Sequence, residues 1–212
     1  MKRTCSLIWA VAASAALVAG CGSSGSSGSS AGTTTHLSAT AGAGAEAGNE
    51  TAPTEAQSLA TGDIPDNQVF LLFKDPKADY SMRYPEGWAR TGTAADVTFA
   101  EKANVIHVVV HKGPPPSEAS AVGGVEALHK GDPTVKGQAP EMINLAGQPV
   151  VKVSYSRLSR PDPVTGKRVR LLVDRYEYAH AGKVAVLDLA TPVGVDNVDA
   201  YRMISESLKW LR

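Results

Sequence analysis

The sequence predicts an α+β fold in which helices flank an antiparallel β-sheet, and three observations support this. Short apolar segments rich in valine follow one another from residue 69 to residue 190. Turn-forming residues such as Ala181-Gly182 connect neighbouring segments directly, as in antiparallel hairpins. Only two segments, 118–129 and 196–211, have apolar residues at helical spacing. Consecutive hairpins with few helices indicate an antiparallel sheet with helices on its faces.

The amino terminus predicts an export signal. Lys2 and Arg3 precede an apolar run from Leu7 to Gly20. This run is shorter than the roughly twenty residues that a membrane-spanning helix needs. A short apolar run after a basic start is typical of a secretory signal peptide, which we assign to residues 1–20.

The end of this run, Leu17-Val18-Ala19-Gly20-Cys21, resembles the lipobox of bacterial lipoproteins. The resemblance implies cleavage after Gly20 and acylation of Cys21 with diacylglycerol and palmitate-type chains. Two or more acyl chains anchor a protein stably to a membrane. An ordinary signal peptide with a chance cysteine is the alternative. Cys5 leaves with the signal, so the folded part has no cysteine for a disulfide or a thiolate metal ligand.

Residues 21–61 are predicted to form a lipidated, disordered linker. They consist mainly of Gly, Ser, Ala and Thr, with no aromatic residue and no periodic apolar face. Such a segment cannot bury enough apolar surface to offset the entropy of ordering. A flexible chain of about forty residues has a root-mean-square span of roughly 35 Å.

The composition excludes several classes of protein. The 212 residues include 21 Lys+Arg and 21 Asp+Glu, so the chain lacks the positive field of a typical nucleic-acid binder. Its two cysteines exclude a disulfide scaffold and a cysteine-rich zinc module. Residues 62–212 have the size of one domain with a substantial core.

The strands of this domain alternate in polarity and end at turn residues such as Pro85-Glu86-Gly87-Trp88. The predicted strands are 69–73, 80–84, 97–99, 104–111, 136–143, 149–158, 168–180 and 183–190.

Two helices complete the prediction. Ser117 is the expected N-cap of the first, which has Ala121, Val125 and Leu128 on one side. Asp196 is the expected N-cap of the second, which extends to Leu211. Apolar residues follow at steps of three and four, which predicts an amphipathic helix.

The order of several short motifs resembles the PsbP-like fold family across residues 62–212. The domain opens with Tyr80-Ser81-Met82-Arg83-Tyr84-Pro85-Glu86-Gly87-Trp88 and closes with Ile204-Ser205-Glu206-Ser207-Leu208. Between them stand Val97-Thr98-Phe99, Asn104 before a valine-rich strand, Gly147-Gln148-Pro149, a strand to Tyr155, and Thr191-Pro192. The chain is also similar to actinobacterial lipoproteins of the LpqN type, which carry this fold on a lipid anchor.

This resemblance implies an α/β/α sandwich that acts as a binding surface. Members of the wider family are docking or accessory proteins, one for the plant oxygen-evolving complex and another for a small GTPase. No functional residue of the family has a matching motif here. The resemblance therefore implies no catalytic residue and no cofactor.

The polar candidates favour structural roles. His107 and His111 share one face of a strand but lie about 13 Å apart, too far for one metal ion. His129 suits the negative end of a helix, and His180 lies beside a turn. Asp188, Asp196, Asn197 and Asp199 offer oxygen ligands, but helix capping explains Asp196 better and the helix dipole explains Asp199 better. The sequence has no motif of a hydrolase or a P-loop.

Two further groups have a structural and a functional interpretation. Tyr176 and Tyr178 share a strand face, and Trp88 lies on a turn, so they form either a core or a binding patch. Five basic residues surround the Pro161-Asp162-Pro163 hairpin: Arg157, Arg160, Lys167, Arg168 and Arg170. This hairpin is either merely solvated or contacts anionic lipid or an acidic partner.

The sequence therefore predicts an exported lipoprotein, held on the outer face of a bacterial cell membrane by lipid on Cys21. Its non-catalytic domain would dock to an envelope protein complex. The alternatives are a carrier of a small apolar or lipid ligand and, as the weakest, an envelope hydrolase. We expect no nucleic-acid partner, no metal and no cofactor.

Overall fold

The computed structural model describes residues 62–93 and 95–211, so the predicted signal peptide, the Cys21 lipidation site and the linker lie outside the described residues. This part of the chain contains two helices, α1 (Glu118–Gly131) and α2 (Val198–Ser207). Its strands are β1 (Phe70–Asp75), β2 (Tyr80–Pro85), β3 (Ala89–Thr93), β4 (Asp96–Glu101), β5 (Asn104–Lys112), β6 (Lys136–Gly137), β7 (Glu141–Leu145), β8 (Gln148–Leu158), β9 (Arg170–His180), β10 (Lys183–Pro192) and β11 (Lys209–Trp210). Neither described helix is long and apolar enough to cross a membrane.

The strands form two antiparallel sheets. The small sheet has the order β1-β2-β11, and the large sheet has the order β3-β4-β5-β10-β9-β8-β6, with β7 also paired to β8. The long hairpins follow the predicted turns, and Lys183 pairs with His180 across Ala181-Gly182. The predicted α+β fold with an antiparallel sheet and flanking helices is confirmed.

The large sheet separates two apolar cores. On one face, α2 and the small sheet cover large side chains: Tyr80, Met82, Phe99, Ile106, Val108, Tyr178, Leu187, Leu189 and Ile204. On the opposite face, α1 covers mostly smaller ones, apart from Tyr155: Ala121, Val125, Val135, Val151, Val153, Tyr155, Leu171, Val173 and Ala190. Strand β5 supplies both cores, because side chains along a strand point alternately to opposite faces.

The prediction for the last helix was wrong at both ends. The N-cap residue is Asn197, while the Asp196 carboxylate accepts only the Val198 N–H, at 3.3 Å. The helix ends at Ser207, and Lys209–Trp210 forms β11 against Ser81 and Tyr80. Local spacing could not reveal this, because the strand depends on a partner far away in the sequence.

Other elements also differ from the prediction. The edge strand β3 was missed because all of its residues are exposed and none of its apolar positions alternates. The predicted strand 136–143 is divided into β6 and β7 before Pro140, which has no N–H to donate to a neighbour. Helix α1 has the predicted Ser117 cap, closed by reciprocal bonds with Ser120, and continues to Gly131.

Candidate functional site

A surface groove of about 370 Å³ lies between α1 and β6, and we call it the α1–β6 groove. Its lining combines three valines and a glycine with four polar residues: Val122, Val125, Glu126, His129, Lys130, Val135, Gly137 and Gln138. The helical members are three or four positions apart and therefore share one side of α1. The groove thus combines apolar side chains with charged and polar ones.

The floor of the groove exists because β6 comes very close to α1. A β-carbon at Gly137 would lie 2.6 Å from Val125 Cγ1, a distance that side chains do not tolerate. His129 Nδ1 donates a hydrogen bond of 2.9 Å to the Val135 carbonyl, which ties the end of the helix to the strand. Only glycine at position 137 allows this approach.

The groove borders an open edge of the large sheet. Strand β6 is the last strand on its side, and Lys136 and Gly137 are exposed. Beside this edge, Val122 is 42% exposed although it is apolar. An extended peptide can bind such an edge through its backbone and place a side chain in the adjoining groove.

Sequence reasoning missed this site. The α1 pattern identified Ala121, Val125 and Leu128 as the buried side but gave no role to Val122. The only available signal was a glycine at position 137 in an otherwise strand-like segment, which indicates close approach of another element.

A second groove, of about 810 Å³, lies between α2 and β2. Its lining is mainly charged or polar, with Arg83, Asp199, Arg202, Glu206 and Lys209 beside Leu72 and Met203. A smaller share of this lining is apolar than in the α1–β6 groove, so it is the weaker candidate for binding.

A partly buried ion pair lies on the α1 side of the large sheet. Arg175 donates to both carboxylate oxygens of Asp188, at 2.7 and 2.8 Å, and the Tyr155 hydroxyl donates to the same carboxylate at 3.2 Å. Burial opposes the charge on Arg175, but the hydrogen bond and charge of Asp188 outweigh it and raise the guanidinium pKa. Burial and the neighbouring Asp188 raise the pKa of Tyr155 to about 12. These groups satisfy one another.

Glu177 lies two residues farther along β9 and is also buried. Burial raises the pKa of its carboxyl, Arg175 partly offsets that effect, and Asp188 adds to it. A carboxyl that is desolvated beside an ion pair is costly to ionise. We therefore expect Glu177 to make the stability of the fold depend on pH.

The structure places the predicted polar candidates in separate contacts. His107 lies on the same face as His111 but contacts Asp96, with 2.8 Å between Nε2 and Oδ1. His111 donates to the Lys112 carbonyl at 3.1 Å, and His180 stacks on Trp210. Within residues 62–93 and 95–211, no three His, Cys, Asp or Glu side chains form a group that could hold a metal ion.

The late Asp and Asn residues are not brought together. Asp188 pairs with Arg175, and Asp199 pairs with Arg202 at 2.8 Å. The buried Asn197 amide instead donates to the Thr191 hydroxyl at 2.9 Å. Asn197 thus fastens the loop before α2 to the core.

The aromatic residues form core rather than a surface patch. Trp88, Tyr176 and Tyr178 are buried in the larger of the two apolar clusters. The Tyr178 hydroxyl donates to the Ser205 carbonyl at 2.8 Å, and burial raises the pKa of this phenol. The structural interpretation of these three residues is confirmed.

Comparisons with known proteins identify the fold. No family model and no curated protein matches the chain. The chain is similar to the solution structure of cyanobacterial PsbP (CyanoP) from Synechocystis sp. PCC 6803, with 18% identity, a TM-score of 0.53, and coverage of 71% of this chain and 99% of that chain. It is also similar to the Saccharomyces cerevisiae Ran-binding protein Mog1p, with 7% identity, a TM-score of 0.46, and coverage of 68% and 96%. A further similar structure is Mycobacterium tuberculosis LpqN, involved in cell envelope biogenesis, with 15% identity, a TM-score of 0.39, and coverage of 68% and 85%. The match to CyanoP shows that the domain has the PsbP-like fold that its sequence predicts.

Proposed function

We propose that this protein is a bacterial cell-envelope lipoprotein whose non-catalytic domain docks to a protein complex of the envelope. The lipid on Cys21 holds it to the outer face of the cell membrane. The α1–β6 groove is the docking surface. The observation that carries the proposal is the position of this apolar groove beside the open edge strand β6.

The two cores support a surface-binding role. Large side chains fill the space between the large sheet, the small sheet and α2, and Phe99, Ile106 and Ile204 have no exposed surface. The valines that line the α1–β6 groove lie outside this core. A segment of the partner can therefore bind at the surface of the domain without disturbing this core.

The polar chemistry of the described residues also supports a non-catalytic role. Hydrolysis by a serine nucleophile needs a hydroxyl and a base within hydrogen-bond reach. Among residues 62–93 and 95–211, the hydrogen bonds of the histidine side chains go to the Asp96 carboxylate and to two backbone carbonyls. Ser154 bonds to Asp174 on β9.

A second candidate function is a carrier of a small apolar or lipid ligand, and the volume of the groove favours it. A space of about 370 Å³ lies at the lower end of the range for small-molecule pockets. A carrier would bind one small molecule between Val122, Val125 and Val135, whereas a docking domain would bind a protein segment there.

The deciding experiment is native mass spectrometry of the full protein, extracted gently from its own membranes. We expect a stoichiometric protein partner with the wild type and a strong loss of that partner in Val122→Arg, because the guanidinium enters the groove. Met203→Arg is the matched control, since Met203 is 41% exposed on α2 and Val122 is 42% exposed on α1. Partner loss in both variants, or in neither, contradicts docking through this groove.

The same spectra separate the two candidate functions. A bound mass of ligand size that Val122→Arg removes would favour the carrier. The lipid anchor is tested independently on the amino-terminal peptide of the mature chain. We expect it to begin at Cys21 and to carry diacylglycerol, and a chain that begins elsewhere or lacks the lipid mass contradicts the anchor.

A further inference from the structure

The hairpin between β8 and β9 concentrates the positive charge of the domain. Residues 157–170 contain five basic residues and one acidic residue, whereas the whole chain has 21 of each kind. The basic members are Arg157, Arg160, Lys167, Arg168 and Arg170. The side chains of Arg160, Lys167 and Arg170 are exposed.

The single acidic residue of the hairpin is occupied by the turn itself. The Asp162 carboxylate accepts the N–H groups of Val164 and Thr165, at 3.0 and 2.7 Å, and the Thr165 hydroxyl at 2.9 Å. The hydrogen bonds from Thr165 and Val164 lower the pKa of this carboxyl. Asp162 thus shapes the turn, while Arg160, Lys167 and Arg170 around it remain exposed.

The turn carries an apolar residue at its tip. Val164 is 90% exposed, more than any other large apolar residue of the described chain. The bonds of Asp162, together with the Gly166 N–H donated to the Asp162 carbonyl at 2.8 Å, fix the backbone on both sides of it. An exposed apolar tip surrounded by basic residues suits the boundary between lipid headgroups and acyl chains.

A second exposed apolar residue lies next to this hairpin. Val193, in the turn after β10, is 62% exposed, and its N–H donates to the Arg170 carbonyl at 3.0 Å. The same end of the large sheet therefore presents two valines beside the basic side chains.

The chain enters the described domain at this same end. The side-chain amides of Asn104 and Asn197 both donate to the Gly62 carbonyl, at 2.5 and 3.3 Å. Asn197 follows Val193 in the connection that contacts Arg170. The described chain therefore begins at the end of the large sheet that carries the basic hairpin.

The acidic side chains near this end make local contacts. Glu101 pairs with Lys102 at 3.4 Å, and Asp132 accepts the Thr134 hydroxyl at 2.7 Å. The Asp63 carboxylate accepts the N–H of Asp196, at 3.2 Å. The hairpin, with five basic residues and one acidic residue between positions 157 and 170, is the most concentrated positive charge in the sequence.

We propose that the β8–β9 hairpin is a membrane-docking tip that binds the headgroups of anionic phospholipids. Arg160, Lys167 and Arg170 contact the phosphates, and Val164 enters the boundary with the acyl chains. The inference rests on the proposed lipid anchor, because the anchor and the linker bring this end of the domain to the bilayer. Tethering through about forty residues gives an effective concentration in the millimolar range, so weak contacts suffice.

The test uses the full lipidated protein in vesicles, with a fluorophore on Val164→Cys and spin-labelled lipids as quenchers. The mature chain has no other free thiol once Cys21 is acylated. We expect strong quenching in vesicles of phosphatidylcholine with about 30% phosphatidylglycerol, and weak quenching in phosphatidylcholine alone. Salt at 1 M should abolish the difference, because its screening length is about 3 Å.

Matched charge variants identify the source of the effect. Each basic residue near an anionic surface contributes roughly five-fold, so Arg160→Gln, Lys167→Gln and Arg170→Gln together should lower docking by about a hundred-fold. The control combines Lys74→Gln, Lys77→Gln and Lys112→Gln, three exposed lysines at the opposite end of the sheets, and should leave the quenching unchanged.

A second labelling position provides the geometric control. Pro115→Cys lies in the exposed connection after β5, at the opposite end from the hairpin, and should not be quenched. Equal quenching at both positions, or quenching independent of lipid charge, overturns the proposal. If a protein shields position 164 in native membranes and the lipids do not quench the fluorophore, the hairpin binds an acidic protein partner. That result also overturns the proposal. Failure of the anchor is seen separately, as a second labelled thiol at Cys21.

Discussion

The two helices cover opposite faces of the large sheet in different ways. Helix α2 buries Tyr201 and Ile204, and the Tyr201 hydroxyl donates to the Ala190 carbonyl at 2.6 Å. Helix α1 buries only Ala121 and Val125 and carries glycine at positions 123 and 124. Large side chains with bonded hydroxyls therefore close the α2 face, whereas small side chains leave the α1–β6 groove open. The difference favours the α1 face over the α2 face as the proposed binding surface.

The largest expected effect lies on the α2 face. Ile204→Ala removes a side chain with no exposed surface, and we expect a loss of about 3 kcal/mol in the free energy of unfolding. Val125→Ala on the α1 face removes less volume beside an open groove and should cost about half as much. Urea denaturation of both variants measures the two values. A larger loss for Val125→Ala would reverse the comparison.

The next effect concerns the ion pair on the α1 face. Asp188→Asn leaves Arg175 without its charged partner, although both side chains are only 14% exposed. We expect a loss of about 2 kcal/mol, because an unpaired charge is left in a largely desolvated position. Thermal and urea unfolding check this value. If Asp188→Asn leaves the free energy of unfolding unchanged, the ion pair adds nothing to the stability of this face.

Two glycines next to the groove give opposite predictions. Gly137→Ala places a β-carbon 2.6 Å from Val125 and should destabilise the domain by about 1–2 kcal/mol. Gly123→Ala on α1 meets no atom within 4 Å and should stabilise it by about 1 kcal/mol, through helix propensity. Chemical denaturation of both variants measures the difference. Equal shifts would exclude the close approach of β6 to α1.

The smallest effect depends on pH. Burial raises the pKa of Glu177 above that of the unfolded chain, so the unfolded state releases its proton first as the pH increases. The domain should therefore lose stability as the pH rises from about 4.5, the unfolded value, through the higher folded pKa. Glu177→Gln should remove this loss, and melting temperatures at pH 4 and pH 7 test it. An identical pH dependence in both proteins would contradict the assignment.

The sequence predicted those features that depend on neighbouring residues. Alternation in Asn104–Lys112 and the Ala181-Gly182 turn identified strands and a hairpin, because both signals are local. The Ser117 cap was also predictable, since Ser120 completes it three residues later.

The features that were missed depend on contacts between distant segments. The last helix ends at Ser207 and is followed by β11. This strand pairs with Ser81 and Tyr80, which lie near the start of the domain in the sequence. The α1–β6 groove requires Gly137 to lie against Val125, and no local pattern specifies that approach. The position of the basic hairpin beside Gly62 likewise follows only from the assembled sheet.

The most direct test of docking through α1 is photocrosslinking in native membranes. A photoreactive amino acid at position 122 lies in the α1–β6 groove, and the same residue at position 203 lies in the polar groove beside α2. If the protein docks through the α1–β6 groove, we expect one discrete crosslinked protein from position 122 and none from position 203. No crosslink from position 122, or the same crosslinks from both positions, would contradict it.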